Sequence, residues 1–473
     1  MSSSGAAISQ QLVTPVPFGR RVVIWPRMLL IYAFLHGLWL ALYALLGKGF
    51  AYAGWPPFYA GEFLLGFALI ALLATRRLGA LILTPVGGIL SCFVLWQLAC
   101  MLPYLETFGF DALRDSVIWG YGVFAWVAAA MVLRLPGLLS SVVVNYKRFS
   151  RVYLVLAPCS LLATLYFRDW LPIWPNTDVS IPLIKGGEFC VHLAGIFAFV
   201  AVGLTKMPQW WLFVILAEAL LGMNVRGGLL AFLGAVVFVL VFRPRLERLL
   251  LIAVSSLLLL TALAAFDLRI SVPGSTKEFS FEYLSNSLIS MVADSDQSSL
   301  ENTKRWRLMW WEKIWDYTVE GPYFWTGKGY GINLADSDGF QVTDREEPLR
   351  SPHSSHLTFL ARSGVPGFVL WIVLQMTWAG SILRSFFRAR RIGTTVWSGL
   401  FAWILAYWFA FVVSAGFDVF FEGPMAGIPF WTVFGLGWGS HILFRNQLSG
   451  HCGGKAGGAP VIWRDRPAEY VVV

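Results

Sequence analysis

Arg305-Trp-Arg307-Leu-Met-Trp310-Trp311-Glu-Lys-Ile-Trp315 opens the chemically dense part of one long hydrophilic passage, Asp267 to Gly367. Gly327-Lys-Gly329-Tyr-Gly331, Ser351-Pro-His353-Ser-Ser-His356 and Gly364-Val-Pro-Gly367 complete it. The chain on either side is apolar. Over 473 residues, 57% are hydrophobic, 13% are charged, and mean hydropathy is +0.65. A water-soluble domain of this length would carry about twice that share of charge. Apolar runs of about 18 residues therefore read as membrane-spanning helices, which satisfy every backbone N–H and C=O internally.

Those runs fall at 28–46, 57–75, 79–103, 117–134, 152–167, 187–204, 208–223, 228–243, 249–266, 364–383, 394–415 and 424–444. Lysine and arginine orient them. The terminal segments and the loops on their side hold 21 Lys/Arg, while the short loops of the other side hold Lys48, Arg114, Arg168, Lys185, Arg226 and Arg362. The positive-inside rule then places both termini in the cytoplasm and Asp267–Gly367 outside. The expected fold is an all-α integral membrane protein with about twelve transmembrane helices and one long, partly helical outer loop. Its expected divisions are a cytoplasmic segment 1–27, a membrane part 28–266, the loop 267–363, a second membrane part 364–444 and a cytoplasmic tail 445–473. Met1 to Arg27 lacks an apolar core with a cleavage site, so the first helix is expected to serve as its own insertion signal.

Several function classes fall away. The net charge is +9, yet from Asp267 to Arg350 the chain holds nine Lys/Arg against fourteen Asp/Glu. The positive surplus thus reports topology rather than a nucleic-acid partner. No phosphate-binding loop or dinucleotide fingerprint is present, which leaves ATP binding unsupported. None of the cysteines, Cys92, Cys100, Cys159, Cys190 and Cys452, lies in the loop, so no disulfide framework is expected there. The pairs Asp294/Asp296 and Asp336/Asp338 lack calcium-loop spacing, and His353 and His356 have no third ligand nearby, so no metal site is expected.

The candidate chemistry lies in cations and histidines. Arg226 sits before two glycines at an outer helix edge, where a guanidinium suits bidentate phosphate contact. Arg305 and Arg307 lie on a stretch that reads as an amphipathic helix, with Leu308, Trp311, Ile314 and Trp315 as its apolar residues and its tryptophans suited to a membrane interface. One of the two arginines would face an anionic lipid carrier. His353 and His356, with Arg350 and Arg362 nearby, offer a group that takes up a proton near neutral pH. If 353–356 is helical, both rings share a face. Glu62, Glu188 and Glu218 are further ionisable groups in or beside apolar spans.

Taken in order, these pieces resemble the O-antigen ligase superfamily, which includes lipopolysaccharide O-antigen ligases, O-antigen polymerases and protein O-oligosaccharyltransferases. Arg307 and Trp311 match the first part of its signature, and Pro322, Gly327 and Gly329 the second. His353 and Leu360-Ala-Arg-Ser-Gly364-Val-Pro-Gly367 match the third, and Arg226-Gly227 resembles the family's other essential arginine. Ser354 stands where the family usually has Asn, and Arg362 where it has an acid. The resemblance implies a GT-C-like membrane glycosyltransferase architecture, in the bacterial inner membrane with the loop periplasmic. It implies transfer of a glycan from undecaprenyl pyrophosphate to a hydroxyl of a glycolipid or glycan acceptor, without cofactor, metal or ATP. His353, Arg226 and Arg307 would be catalytic; Arg305, His356, Arg350, Gly327 and Gly329 would bind substrate. Polymerisation of lipid-linked glycans is the alternative within the family, and a secondary transporter the alternative outside it.

Overall fold

The computed structural model describes residues 24–242 and 298–452, apart from 56–57, 136, 206–207, 209, 223–224 and 343–347. Of 243–297 it describes 252, 254–258, 261–262, 265, 270–271 and 278–279. The described chain is almost wholly helical. Its first half holds α1 (Ile24–Leu46), α2 (Lys48–Ala51), α3 (Ala60–Thr75), α4 (Leu78–Ile82), α5 (Pro85–Phe108), α6 (Phe110–Gly120), α7 (Val123–Arg134) and α8 (Leu138–Tyr166). Then come α9 (Gly186–Ala201), α10 (Trp210–Leu221), α11 (Arg226–Phe242), α12 (Ser298–Trp315), α13 (Leu334–Asp338), α14 (Ser355–Arg391), α15 (Thr395–Ala415) and α16 (Pro424–Cys452). Two antiparallel two-residue pairs, Gly54–Trp55 with Phe58–Tyr59 and Ile270–Ser271 with Glu278–Phe279, are the strands among the described residues.

Six spans among the described residues are long and apolar enough to cross a membrane: Arg27–Leu46, Pro85–Phe108, Phe110–Arg134, Leu138–Tyr166, Ser355–Arg391 and Thr395–Ala415. Four shorter apolar helices, α3, α9, α10 and α11, pack among them. Each expected apolar run falls on a helix or a broken pair of helices, except 249–266, most of which lies outside the described residues. The run 79–103 is broken because Thr84 caps α5, its hydroxyl accepting from Gly87 N at 3.1 Å, with Pro85 in the first helical position. The fifth helix begins at Leu138, fourteen residues before the expected 152, so the basic stretch Lys147–Arg151 is helical too.

Small residues let the helices close up. Gly435 and Gly439, one turn apart on α16, lie on the backbone of Ala125 and Ala129 of α7, where a side chain would collide. Such small-residue contacts replace hydrophobic driving force between helices surrounded by lipid. The starts of α9, α11, α14 and α16 and the end of α15 share one face of the bundle. Gly228 packs on Gly187, Gly227 packs on Phe417, and Ser355 N donates to Asp418 O at 3.2 Å.

The hydrophilic segment is docked on that face by its own small core. Trp310 and Ile314 of α12 bury against Leu334, Leu349, Leu360 and Ala361. This corrects the expected apolar face of the 305–315 helix. The 306/310/314 row is covered by protein, whereas Leu308, Met309 and Trp315 are exposed. The long helix expected from 364 begins at Ser355, and Gly364 (φ 67°) kinks it. Pro366 removes one backbone donor at that kink, and Val365 N turns aside to Phe324 O at 2.8 Å.

Candidate active site

Arg307 and Trp311 stand one turn apart on α12 and act together. Arg307 Nη1 donates to Phe417 O at 3.0 Å, and Trp311 Nε1 donates to Pro352 O at 2.8 Å. A single helical face therefore clamps two loops, one leading into His353 and the other into Asp418. Arg305 lies two residues from Arg307, about 200° round the helix, and is exposed. The contact with the 416–423 turn belongs to Arg307.

His353 is not helical. Its backbone is left-handed (φ 52°), with its N–H donating to Ser351 O at 2.9 Å. Histidine is among the side chains that tolerate this region, and the conformation turns the ring away from the helix that follows. Nδ1 lies 3.7 Å from Asp418 Oδ1, an ion-pair separation, and the ring packs beside Trp306. Nε2 is buried and makes no hydrogen bond to a described residue. Burial raises the Asp418 carboxyl, but His353 and the Lys185 ammonium outweigh it and hold the group at about 2. Asp418 was not among the residues expected from sequence.

Arg226 is the first residue of α11 and is half-buried. Gly227 beside it lies so close to Phe417 that a Cβ would come within 2.7 Å of the Phe417 Cβ. Phe417 thus joins the three distant pieces: its carbonyl holds Arg307, its side chain seats the Arg226 helix, and its neighbour Asp418 faces His353. Lys185, immediately before α9, adds another positive charge acting on Asp418.

The other expected substrate contacts are placed differently. His356 Nδ1 accepts from Trp371 Nε1 at 3.1 Å, so Nε2 carries the proton and donates to Val412 O at 2.9 Å. Both ring nitrogens are occupied by protein, and the two histidines do not share a helical face. Gly327 and Gly329 (φ 63° and 77°) are buried in a turn packed on the start of α14, with Lys328 N donating to Ala361 O at 2.7 Å and Gly329 N to Arg362 O at 3.1 Å. A side chain at Gly329 would overlap the Tyr104 ring. The turn touches protein where substrate was expected.

Arg350 likewise belongs to the scaffold. Its Nη2 donates to Asp115 Oδ2 at 3.1 Å and to Gly331 O at 3.1 Å. Arg362 is only 2% exposed and pairs with the same Asp115 oxygen at 2.9 Å. It also donates to Gly329 O and Ile332 O. Asp115 of α6 therefore ties down both flanks of the segment carrying His353. Ser354, in place of the family's usual Asn, caps α14, its hydroxyl accepting from Leu357 N. Glu422 is half-buried beneath the loop and accepts from Ser351 Oγ at 2.8 Å and Thr358 Oγ1 at 2.9 Å. Burial raises its carboxyl above the ordinary glutamate range, against the pull of Arg362.

A family model described as O-antigen ligase matches residues 211–372. That match, about a third of the chain, supports membership of the O-antigen ligase superfamily. The matched stretch contains Arg226, Arg307 and His353, while Asp115 and Asp418 lie outside it. No curated protein matches the chain. The match supports a membrane enzyme of the O-antigen ligase or polymerase type, with a glycosyltransferase-like activity. Such an enzyme takes a lipid-linked glycan as donor and a glycan as acceptor. The arrangement here suits that chemistry: a histidine faces a carboxylate through one nitrogen and leaves the other unbonded, and cations gather at the adjoining helix starts.

Proposed function

We propose that the enzyme transfers a glycan from undecaprenyl pyrophosphate to a hydroxyl of a lipid A-core or similar acceptor. The reaction takes place on the periplasmic side of the bacterial inner membrane, with both termini cytoplasmic. The observation that supports this reading is the convergence on Phe417 and Asp418 of the Arg226 helix start, Arg307 and His353. Asp418 orients the imidazole through Nδ1 and stabilises it when protonated, which leaves Nε2 to accept the acceptor's hydroxyl proton. The acceptor oxygen bonds to the anomeric carbon as the bond from that carbon to the diphosphate oxygen breaks. The electron pair leaves on the diphosphate, and Arg226 and Arg307 balance the charge that develops there. The activated glycosyl diphosphate supplies the driving force, so the proposed reaction uses neither ATP nor a metal ion.

The test is to incubate the purified protein with undecaprenyl-linked glycan and separate candidate acceptors, and to weigh the products. Glycan joined to lipid A-core supports the ligase reading. Elongated lipid-linked glycan instead assigns polymerase activity, and no transfer to any hydroxyl acceptor rejects the reading. Folded His353→Ala protein should lose activity by roughly 10²-fold or more; full transfer would remove His353 from the chemistry.

A further inference from the structure

The bundle also encloses a cavity of about 840 Å³, lined chiefly by α1, α7, α8 and α16. It is not part of the His353 site. Phe411, Phe420, Phe421 and Phe430 are all buried, and they stack between the cavity's upper end at Tyr407 and Pro429 and the Asp418 turn. Its α8 side carries Arg148 and Asn145, both exposed, three residues apart. Arg148 lies 18 residues before the end of α8 at Tyr166, about 27 Å along the helix. That side of the bundle is the basic one, with Arg134, Lys147 and Arg151 beside it.

The wall selects an apolar occupant. Its main polar groups hydrogen-bond to one another. Thr432 Oγ1 donates to Ile428 O, so it accepts from His36 Nε2 at 2.9 Å, and His36 Nδ1 accepts from Tyr32 Oη at 2.8 Å. His192 Nδ1 and Tyr407 Oη share a hydrogen bond of 2.6 Å. The wall opens sideways along α1, where Phe34 is 70% exposed and Leu38 is 42% exposed, so entry is from the lipid side. An apolar slot open to lipid with an arginine on one side matches a lipid whose head is an anion.

We propose that this cavity holds an acyl chain of an anionic glycerophospholipid from the leaflet opposite the catalytic site, with the lipid phosphate bound by Arg148 and Asn145. The lipid enters between α1 and α8. The bound lipid lies between α1 and the rest of the bundle, and the aromatic layer above it keeps its chain out of the transfer site.

Native mass spectrometry of delipidated full-length protein tests this, with phosphatidylglycerol, phosphatidylethanolamine and undecaprenyl phosphate offered in turn. One phosphatidylglycerol per chain should be retained in preference to the other two. Arg148→Ala, an exposed change, should weaken retention about fivefold, the effect of one basic residue at a membrane surface. Gly37→Phe should abolish it: Gly37 lines the cavity and its Cβ position meets no atom within 4 Å, so the ring fills the slot without a clash at its root. Retention unchanged in both variants would overturn the proposal, as would equal retention of phosphatidylethanolamine. Preferential retention of undecaprenyl phosphate that Gly37→Phe abolishes would instead assign the cavity to a polyprenyl chain.

Discussion

Replacing Asp115 by alanine would remove the carboxylate shared by Arg362, Arg350 and, at 3.7 Å, the exposed Arg114. Arg362 and Asp115 have side chains 2% and 7% exposed and meet at 2.9 Å. Removing one member of a buried pair costs about 3–5 kcal/mol, because the remaining charge is left desolvated. Arg350 is 24% exposed and keeps some water, so its share is about 1 kcal/mol at most. Gly331 N also loses its acceptor, Asp115 Oδ2, at 3.0 Å. We expect Asp115→Ala to cost about 4 kcal/mol, and Arg350→Ala only about 1 kcal/mol. The Asp115→Asn and Arg362→Gln double variant should be less damaging than the sum of its singles, since both charges leave together. His353 sits between Arg350 and Arg362 in sequence, so the loosened loop should also slow transfer, by roughly 10²-fold for a displacement of about 1 Å. Thermal unfolding followed by tryptophan fluorescence gives the first quantity and transfer in proteoliposomes the second. Asp115→Ala protein with unchanged Tm and full transfer would refute the reasoning.

Arg305→Ala should leave transfer within about twofold of the parent, while Arg307→Ala should lower it by roughly 10²–10³-fold, as expected for a donor to developing charge; the reverse order in side-by-side rates would exchange their roles. His356→Ala should cost about 2–3 kcal/mol by leaving Trp371 Nε1 and Val412 O unpaired, with kcat near normal when assayed below the lowered Tm. Loss of turnover in protein that is still folded would instead put His356 in the chemistry. Asp418, held at about 2, has a lower pKa folded than the roughly 3.9 of an unfolded chain. Its contribution to stability is therefore complete above about pH 4 and is lost as pH falls towards about 2. Stability measured across that window should flatten in Asp418→Asn, and an unaltered slope would show that the ion pair contributes nothing.

Composition and charge alternation located most of the helices, because a lipid-facing span must be apolar along its whole length and a loop need not be. What they missed was where a helix continues through polar residues, as α8 does through Lys147–Arg151. Arg226, Arg307 and His353 stood out in the sequence because cations and histidines are few among so many apolar residues, and the structure brings all three to the Phe417–Asp418 turn. Asp418 and Asp115 did not, since each is one acid, in a short turn and on α6 respectively, whose partners are far away in sequence. Gly327, Gly329 and His356, expected to bind substrate, are each held by protein in the structure. Glycine at positive φ and histidine with two partnered nitrogens serve tight packing as readily as they serve a ligand, and sequence does not show the partner.

Arg362 stands where the family's pattern has an acid, and its partner explains how the exchange is tolerated. The guanidinium answers Asp115, roughly 250 positions away on α6, and also donates to the carbonyls of Gly329 and Ile332. An acid at 362 would repel Asp115 and could make neither carbonyl contact. Reversing the sign at both positions would restore attraction but still strand those two carbonyl oxygens. Position 362 therefore works as one part of a three-way contact among α6, the glycine turn and α14. Grafting this loop onto a relative, or a relative's loop onto this scaffold, should succeed only when residue 115 and the turn travel with it.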